Sequence, residues 1–219
     1  MRNSAFAARV VLAVGLLATL GNVGVPVRAE GGQSAAQPAK NVKPADLTGT
    51  WAVDKAHTDI SFSVMHLGVS KTRGRFTDFD GTLTVDGVRP EKSSVVFTIK
   101  VDSIDTGNKD RDNHLRGKEF FDVATYPEIT FKSTRVQKKG REYAVTGDLS
   151  LHGVTRPVTL TFVPSNPQVS FDKKLHAGLE TRTRINRMDY GLKWNALIEG
   201  TQVVGADIDI DINFEAIKQ

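Results

Sequence analysis

The chain has 219 residues, 39% of them hydrophobic, and 29 Lys and Arg against 25 Asp and Glu give a formal charge of +4. It has no cysteine, which excludes a disulfide framework, a cysteine nucleophile and a thiolate metal site.

Residues 1–29 place Arg2 and Arg9 ahead of an apolar run from Val10 to Leu20 and end on Val27-Arg28-Ala29. This is the anatomy of a secretory signal peptide, with cleavage expected after Ala29. The apolar core falls short of the ~20 residues a spanning helix needs, and no later segment approaches that length, so no transmembrane segment is expected in the mature chain. Arg2, Arg9 and Arg28 leave with the signal, which takes the charge from +4 to +4 − 3 = +1. A near-neutral chain argues against a nucleic-acid partner. With no cysteine for lipid attachment, a periplasmic or secreted, freely soluble protein is expected. Residues 30–46, rich in Gly, Gln, Ala, Pro and Lys, read as a flexible linker. Residues 47–219 have the length of one domain.

Period-two alternation then recurs down the chain. Ile60, Phe62, Val64 and His66 share one face; Asp59, Ser61, Ser63 and Met65 share the other. Phe79, Gly81, Leu83 and Val85 alternate with polar residues, as do Val95, Phe97, Ile99 and Val101. The pattern resumes at Ile129 and Phe131, at Val145, Gly147, Leu149 and Leu151, and at Leu175, Ala177 and Leu179. It is clearest in Ile208, Ile210, Ile212 and Phe214, interleaved with Asp207, Asp209, Asp211 and Asn213. Turns such as Asp86-Gly87 and Lys139-Gly140 join neighbouring runs as antiparallel hairpins. Roughly eight to ten strands fit an all-β sandwich or a closed barrel, and the alternation does not choose between them. The inward set is aliphatic and aromatic, with Gly81 and Gly147 leaving space inside.

Between these strands, Asp102–Phe121 is a densely charged insert that reads as one short helix, capped by Asp105, Thr106 or Asn108. Asp110 and Asp112 suit its first turns, and Asp110–His114 and Asp112–Arg116 are i,i+4 pairs. The five histidines, His57, His66, His114, His152 and His176, include no tight ligand pair, so no metal site is expected. The Asp207, Asp209, Asp211 ladder lacks the loop of a calcium site and reads as a solvated face. No Gly-x-Ser-x-Gly elbow is present, and a carboxylate pair assembled in space would not show in the sequence.

The insert also carries a family pattern: Ser103 to Asn108 as Ser-Ile-Asp-Thr-Gly-Asn, Arg111-Asp112, His114-Leu115, Phe120-Phe121-Asp122-Val123, and Tyr126-Pro127-x-Ile129-x-Phe131-x-Ser133-Thr134. Asp54-x-x-His57-Thr58, Phe62-x-Val64-x-His66-Leu67-Gly68, Gly74-x-Phe76-x-x-Phe79-x-Gly81 and Gly147-Asp148-Leu149-x-Leu151-x-Gly153 through Val158 agree with it. Over about residues 47 to 216 the chain resembles the YceI-like proteins. The resemblance implies an exported, lipocalin-like antiparallel β-barrel of about eight strands, with an apolar cavity that in some members holds a polyisoprenoid. The expected function is to sequester or carry a long-chain isoprenoid, quinone or fatty-acid-like amphiphile as ligand, without a cofactor and without catalysis. Parity nominates Phe62, Val64, Phe97, Ile99, Phe131, Leu149, Leu160 and Ile210 as the apolar wall. The motifs nominate His66, Arg111, Asp112 and His114 as mouth residues. A homodimer stays open. So do a packed barrel acting as a cell-envelope interaction or stress-related protein, and an uncharacterised enzyme.

Overall fold

The computed structural model describes residues 43–198 and 200–219. The expected signal peptide (1–29) and the expected linker as far as residue 42 lie outside the described residues. A 3-10 turn at Pro44–Leu47 begins inside the stretch read as linker, and Trp51 Nε1 donates to Leu47 O at 2.9 Å.

The strands are β1 (Gly49–Val53), β2 (Asp59–His66), β3 (Ser70–Phe76), β4 (Phe79–Val85), β5 (Ser94–Lys100) and β6 (Ile104–Asp105), followed by the helix α1 (Lys109–Arg116). After it come β7 (Glu128–Lys139), β8 (Glu142–Leu151), β9 (Val154–Phe162), β10 (Gln168–Val169) and β11 (Leu175–Asn186). A 3-10 turn at Arg187–Tyr190 leads to the two-residue strands β12 (Leu197–Ile198) and β13 (Thr201–Gln202) and to the long β14 (Val204–Lys218). Neighbouring strands pair antiparallel in the order β6-β3-β2-β14-β1-β4-β5-β7-β8-β9, and β11 takes the other edge of β14. β14 divides one edge between two partners: Ile210 faces Phe62 of β2, and Lys218 faces Trp51 of β1.

The expected barrel is not closed by backbone pairing, since no ladder joins β9 to β11 among the described residues. Pro157 lies in β9 and has no N–H to give a further strand, which suits β9 to an edge. Other contacts bridge the seam. Thr181 Oγ1 donates to Thr161 O at 2.9 Å, Ser165 N donates to Gly178 O at 2.7 Å, and Arg156 Nε donates to Asp189 O at 2.9 Å. The all-β class stands; the sheet curls round an interior and stops one pairing short.

Two buried clusters anchor this shell. Ile60, Phe76, Phe79, Val101, Ile104, Ile129, Leu151, Tyr190 and Leu192 form the larger, with Leu115, Phe121 and Val123 packed against it from the insert and the residues after it. Trp51, Phe214 and Ala216 form the smaller. Gly81 and Gly147 do not leave open space, contrary to the sequence reading. A Cβ at Gly81 would stand 2.2 Å from Phe97 Cδ2, and one at Gly147 would stand 2.5 Å from Phe131 Cζ. Each glycine takes the ring of its cross-strand or near cross-strand neighbour flat on the sheet.

Candidate functional site: an apolar cavity inside the sheet

Inward-facing residues of a filled barrel lose nearly all contact with solvent. Here Phe62, Val64, Phe97, Ile99, Phe131, Leu149, Leu160 and Ile210 are only half-buried although they face inward. The reason is a cavity of about 270 Å³ that all eight line, together with Ile208, Ile212, Phe214, Val158 and Phe162. The interior is therefore hollow. An apolar cavity of about 150 Å³ already stays dry and takes benzene-sized guests, so one of this size favours hydrocarbon over water.

The insert covers the cavity with its apolar residues. Leu115, Phe120 and Phe121 line it, whereas none of the four expected mouth residues is among the lining residues. Asp112 is buried and accepts from Thr106 N at 2.9 Å and from Thr106 Oγ1 at 2.5 Å, which fixes the turn before α1. Arg111 is exposed and donates through Nε to Thr106 Oγ1 at 2.7 Å and through Nη2 to Thr106 O at 2.9 Å. His114 Nε2 lies 2.8 Å from Glu119 Oε2, with its ring edge-on to Phe120 and Trp194. His66 is exposed at the end of β2. Asn108 is the cap, accepting from Arg111 N at 3.0 Å, and Arg116 ties the helix to the sheet by donating to Asp102 O and Ile104 O, each at 2.7 Å. The charges of the insert thus hold its own turn and helix in place while its aromatic residues face the cavity.

The one ionisable side chain in the lining is Arg187, which the sequence reading did not select. It is 3% exposed. Its Nε donates to Gly205 O at 2.8 Å, its Nη1 to Trp194 O at 2.9 Å and to Leu192 O, and its Nη2 to Val204 O at 3.1 Å. Four carbonyl dipoles solvate the guanidinium, and no carboxylate lies within ion-pair distance among the described residues. Burial lowers its pKa from the ordinary arginine value, yet a guanidinium keeps its proton in proteins. A fixed positive charge thus stands at an apolar wall. Ser61, Thr181 and Thr183 also line the cavity, with the Ser61 and Thr181 hydroxyls donating to Asp211 O and Thr161 O, so the cavity surface is apolar.

Away from the cavity, one donor atom from each of Asp54, His176 and Glu215 lies within 4.8 Å of the other two. These donors come from three separate segments, so no local spacing in the sequence brings them together.

The YceI-like domain family matches residues 51–216. The protein YceI of Escherichia coli O157:H7 is 38% identical over 177 residues, covering 79% of this chain and 89% of its own length. The crystal structure of the Campylobacter jejuni YCEI protein superposes with a TM-score of 0.61 at 30% identity, over 76% of this chain and 96% of that one. A polyisoprenoid binding domain from Saccharophagus degradans superposes with a TM-score of 0.59 over 77% of this chain and 98% of that domain; at 19% identity it shares the fold.

Proposed function

The chain belongs to the YceI-like family, and on that premise we propose that its cavity binds a single long-chain amphiphile, of the isoprenoid, quinone or fatty-acid kind, which the protein carries or buffers. The observation that carries this reading is the half-burial of the eight inward residues around the cavity, since their parity would otherwise pack them shut. The fold shared with a domain described as polyisoprenoid binding supports the same ligand class. The Arg187 guanidinium is turned to its four carbonyls and the cavity surface is apolar, so the cavity takes the hydrocarbon part of the amphiphile and the polar end lies outside it. We assign no reaction. The lining offers acid–base chemistry one ionisable group, and that group does not release its proton.

Export fits this role, because a carrier outside the cytoplasm moves lipids between membranes. Residues 1–29 carry the Arg-flanked apolar run of a secretory signal. No helix among the described residues is long and apolar enough to cross a membrane.

Native mass spectrometry of the protein purified from its own cells, with and without organic extraction, tests the proposal. The expected spectrum carries one adduct of lipid mass that disappears on extraction. A bare-chain mass in every preparation, with no uptake of added prenol, quinone or fatty acid, contradicts it and favours a protein that acts by contacting a partner.

A further inference from the structure

On the outer face of the sheet, Glu215 stands between the inward, buried Phe214 and Ala216 of β14, and His176 of β11 lies on the same face, in register with Ile217. The turn after β1 is tied to them: Asp54 N donates to Glu215 O at 2.9 Å, and Glu215 N donates to Thr58 Oγ1 at 3.0 Å. Three segments thereby converge. His176 Nδ1 lies 2.7 Å from Glu215 Oε1, its Nε2 lies 3.3 Å from both Asp172 oxygens, and His57 Nδ1 lies 2.8 Å from Asp54 Oδ2.

Two features separate this cluster from the ion pairs elsewhere on the sheet. First, the side-chain bases its carboxylates meet are imidazoles, beside the backbone N–H groups of Ala56 on Asp54 and of Lys174 on Asp172. Asp209 has Lys71 and Arg184, and Asp211 has Arg182, but among the described residues no Lys or Arg nitrogen lies within ion-pair distance of Asp54, Asp172 or Glu215. Second, the donors are held in place. The Asp54, His176 and Glu215 side chains are 12%, 16% and 32% exposed, against 43%, 63% and 88% for the bases of the other pairs, Lys71, Arg184 and Arg182. The two nitrogens of His176 are also divided as in metal sites, one toward the convergent donors and the other toward the outer carboxylate of Asp172. That is the carboxylate–histidine–metal arrangement, in which the outer partner fixes the ring.

We propose that Asp54, His176 and Glu215 bind one divalent transition-metal ion of the Zn2+ type, with Asp172 orienting the His176 ring and His57 standing by as a further nitrogen donor. Bond lengths of about 2.0–2.2 Å put tetrahedral donors about 3.3–3.6 Å apart, so His176 and Glu215, now 2.7 Å apart, open by about 0.6–0.9 Å while Asp54 closes on them, within reach of side-chain rotation. The imidazole donors select a borderline metal over Ca2+ or Mg2+. The bound ion clips the β1–β2 turn to β11 and β14, at a place that shares no residue with the cavity lining.

The test uses tag-free protein, stripped with a chelator and titrated with Zn2+ and with Ca2+ by calorimetry, alongside thermal melts. One Zn2+ per chain is expected, with Ca2+ much weaker and a melting temperature that rises with free Zn2+. Glu215→Gln, which keeps the side-chain size, and His176→Ala should each lose at least about tenfold in Zn2+ affinity, and Asp172→Asn about tenfold to a hundredfold. Melts without metal show whether each variant is folded, and Glu215→Gln alone carries the test if His176→Ala is not. Absent saturation, a preference for Ca2+, or equal Zn2+ affinity in wild type and folded Glu215→Gln overturns the proposal. Lipid binding is a separate readout, so either result leaves the cavity's role standing or falling on its own.

Discussion

Phe97 lies flat over Gly81, its partner across β4 and β5, so closely that a Cβ on the glycine would stand 2.2 Å from the ring. The pair shapes the cavity wall, because the ring can lie against the sheet only where the opposite residue has no side chain. Gly81→Ala should push the ring inward and destabilise the fold by about 1–3 kcal/mol. Phe97→Leu in the same chain should recover part of that loss, and a double-mutant cycle by urea denaturation measures the coupling. Strict additivity would mean that the ring does not depend on the glycine.

Asp112 supports the insert from beneath by accepting both polar hydrogens of Thr106. Asp112→Ala leaves a backbone N–H without its partner and should cost about 1–3 kcal/mol. Asp110→Ala, on the exposed side of α1, should stay within about ±0.5 kcal/mol. Equal denaturation midpoints for the two variants would return Asp112 to the solvated surface.

How much of this was legible in the sequence depends on the range of the forces involved. The inward set of β14 was legible because strand alternation is a local property: Ile208, Ile210 and Ile212 line the cavity as their parity requires. The hollow was not, since it depends on how far apart opposite walls stand. In the charged insert, Arg111, Asp112 and His114 bond within the insert, whereas the neighbouring doublet Phe120-Phe121 lines the cavity. Arg187 lies in the polar run Asn186–Tyr190 and reads as exposed; its burial comes from carbonyls five to eighteen residues away. Asp54, His176 and Glu215 meet only after three segments fold together.

Asp209 gives a pH-dependent readout of the outer face. Lys71 at 2.6 Å and Arg184 at 2.6 Å hold its carboxyl below the usual aspartate range. A carboxyl depressed in the folded state stabilises above its unfolded value near 3.9 and loses that contribution as pH falls through the folded value. The melting temperature of Asp209→Asn should therefore fall less steeply than that of wild type from about pH 5 to pH 2. Parallel slopes would show that the ion pairs add nothing.

The charge of Arg187 is taken up by four carbonyls and should not select among ligands. A long-chain fatty acid and its methyl ester differ in one charge, and their affinities should agree within a factor of about three. Competitive titration against one fluorescent reporter measures the ratio. Binding of the acid about tenfold to a hundredfold tighter, the worth of a charge-assisted contact of roughly 1.5–3 kcal/mol, would place the head group against Arg187.

Filling the cavity shows most directly whether the ligand binds inside it. Leu160 faces the hollow from β9, so Leu160→Trp has room for its ring and should not incur the usual cost of overpacking. A melting temperature equal to or above that of wild type is expected, with affinity for a long-chain amphiphile reduced at least about tenfold. A folded Leu160→Trp protein that binds the amphiphile as tightly as wild type would contradict this, because the ligand would then lie outside the cavity.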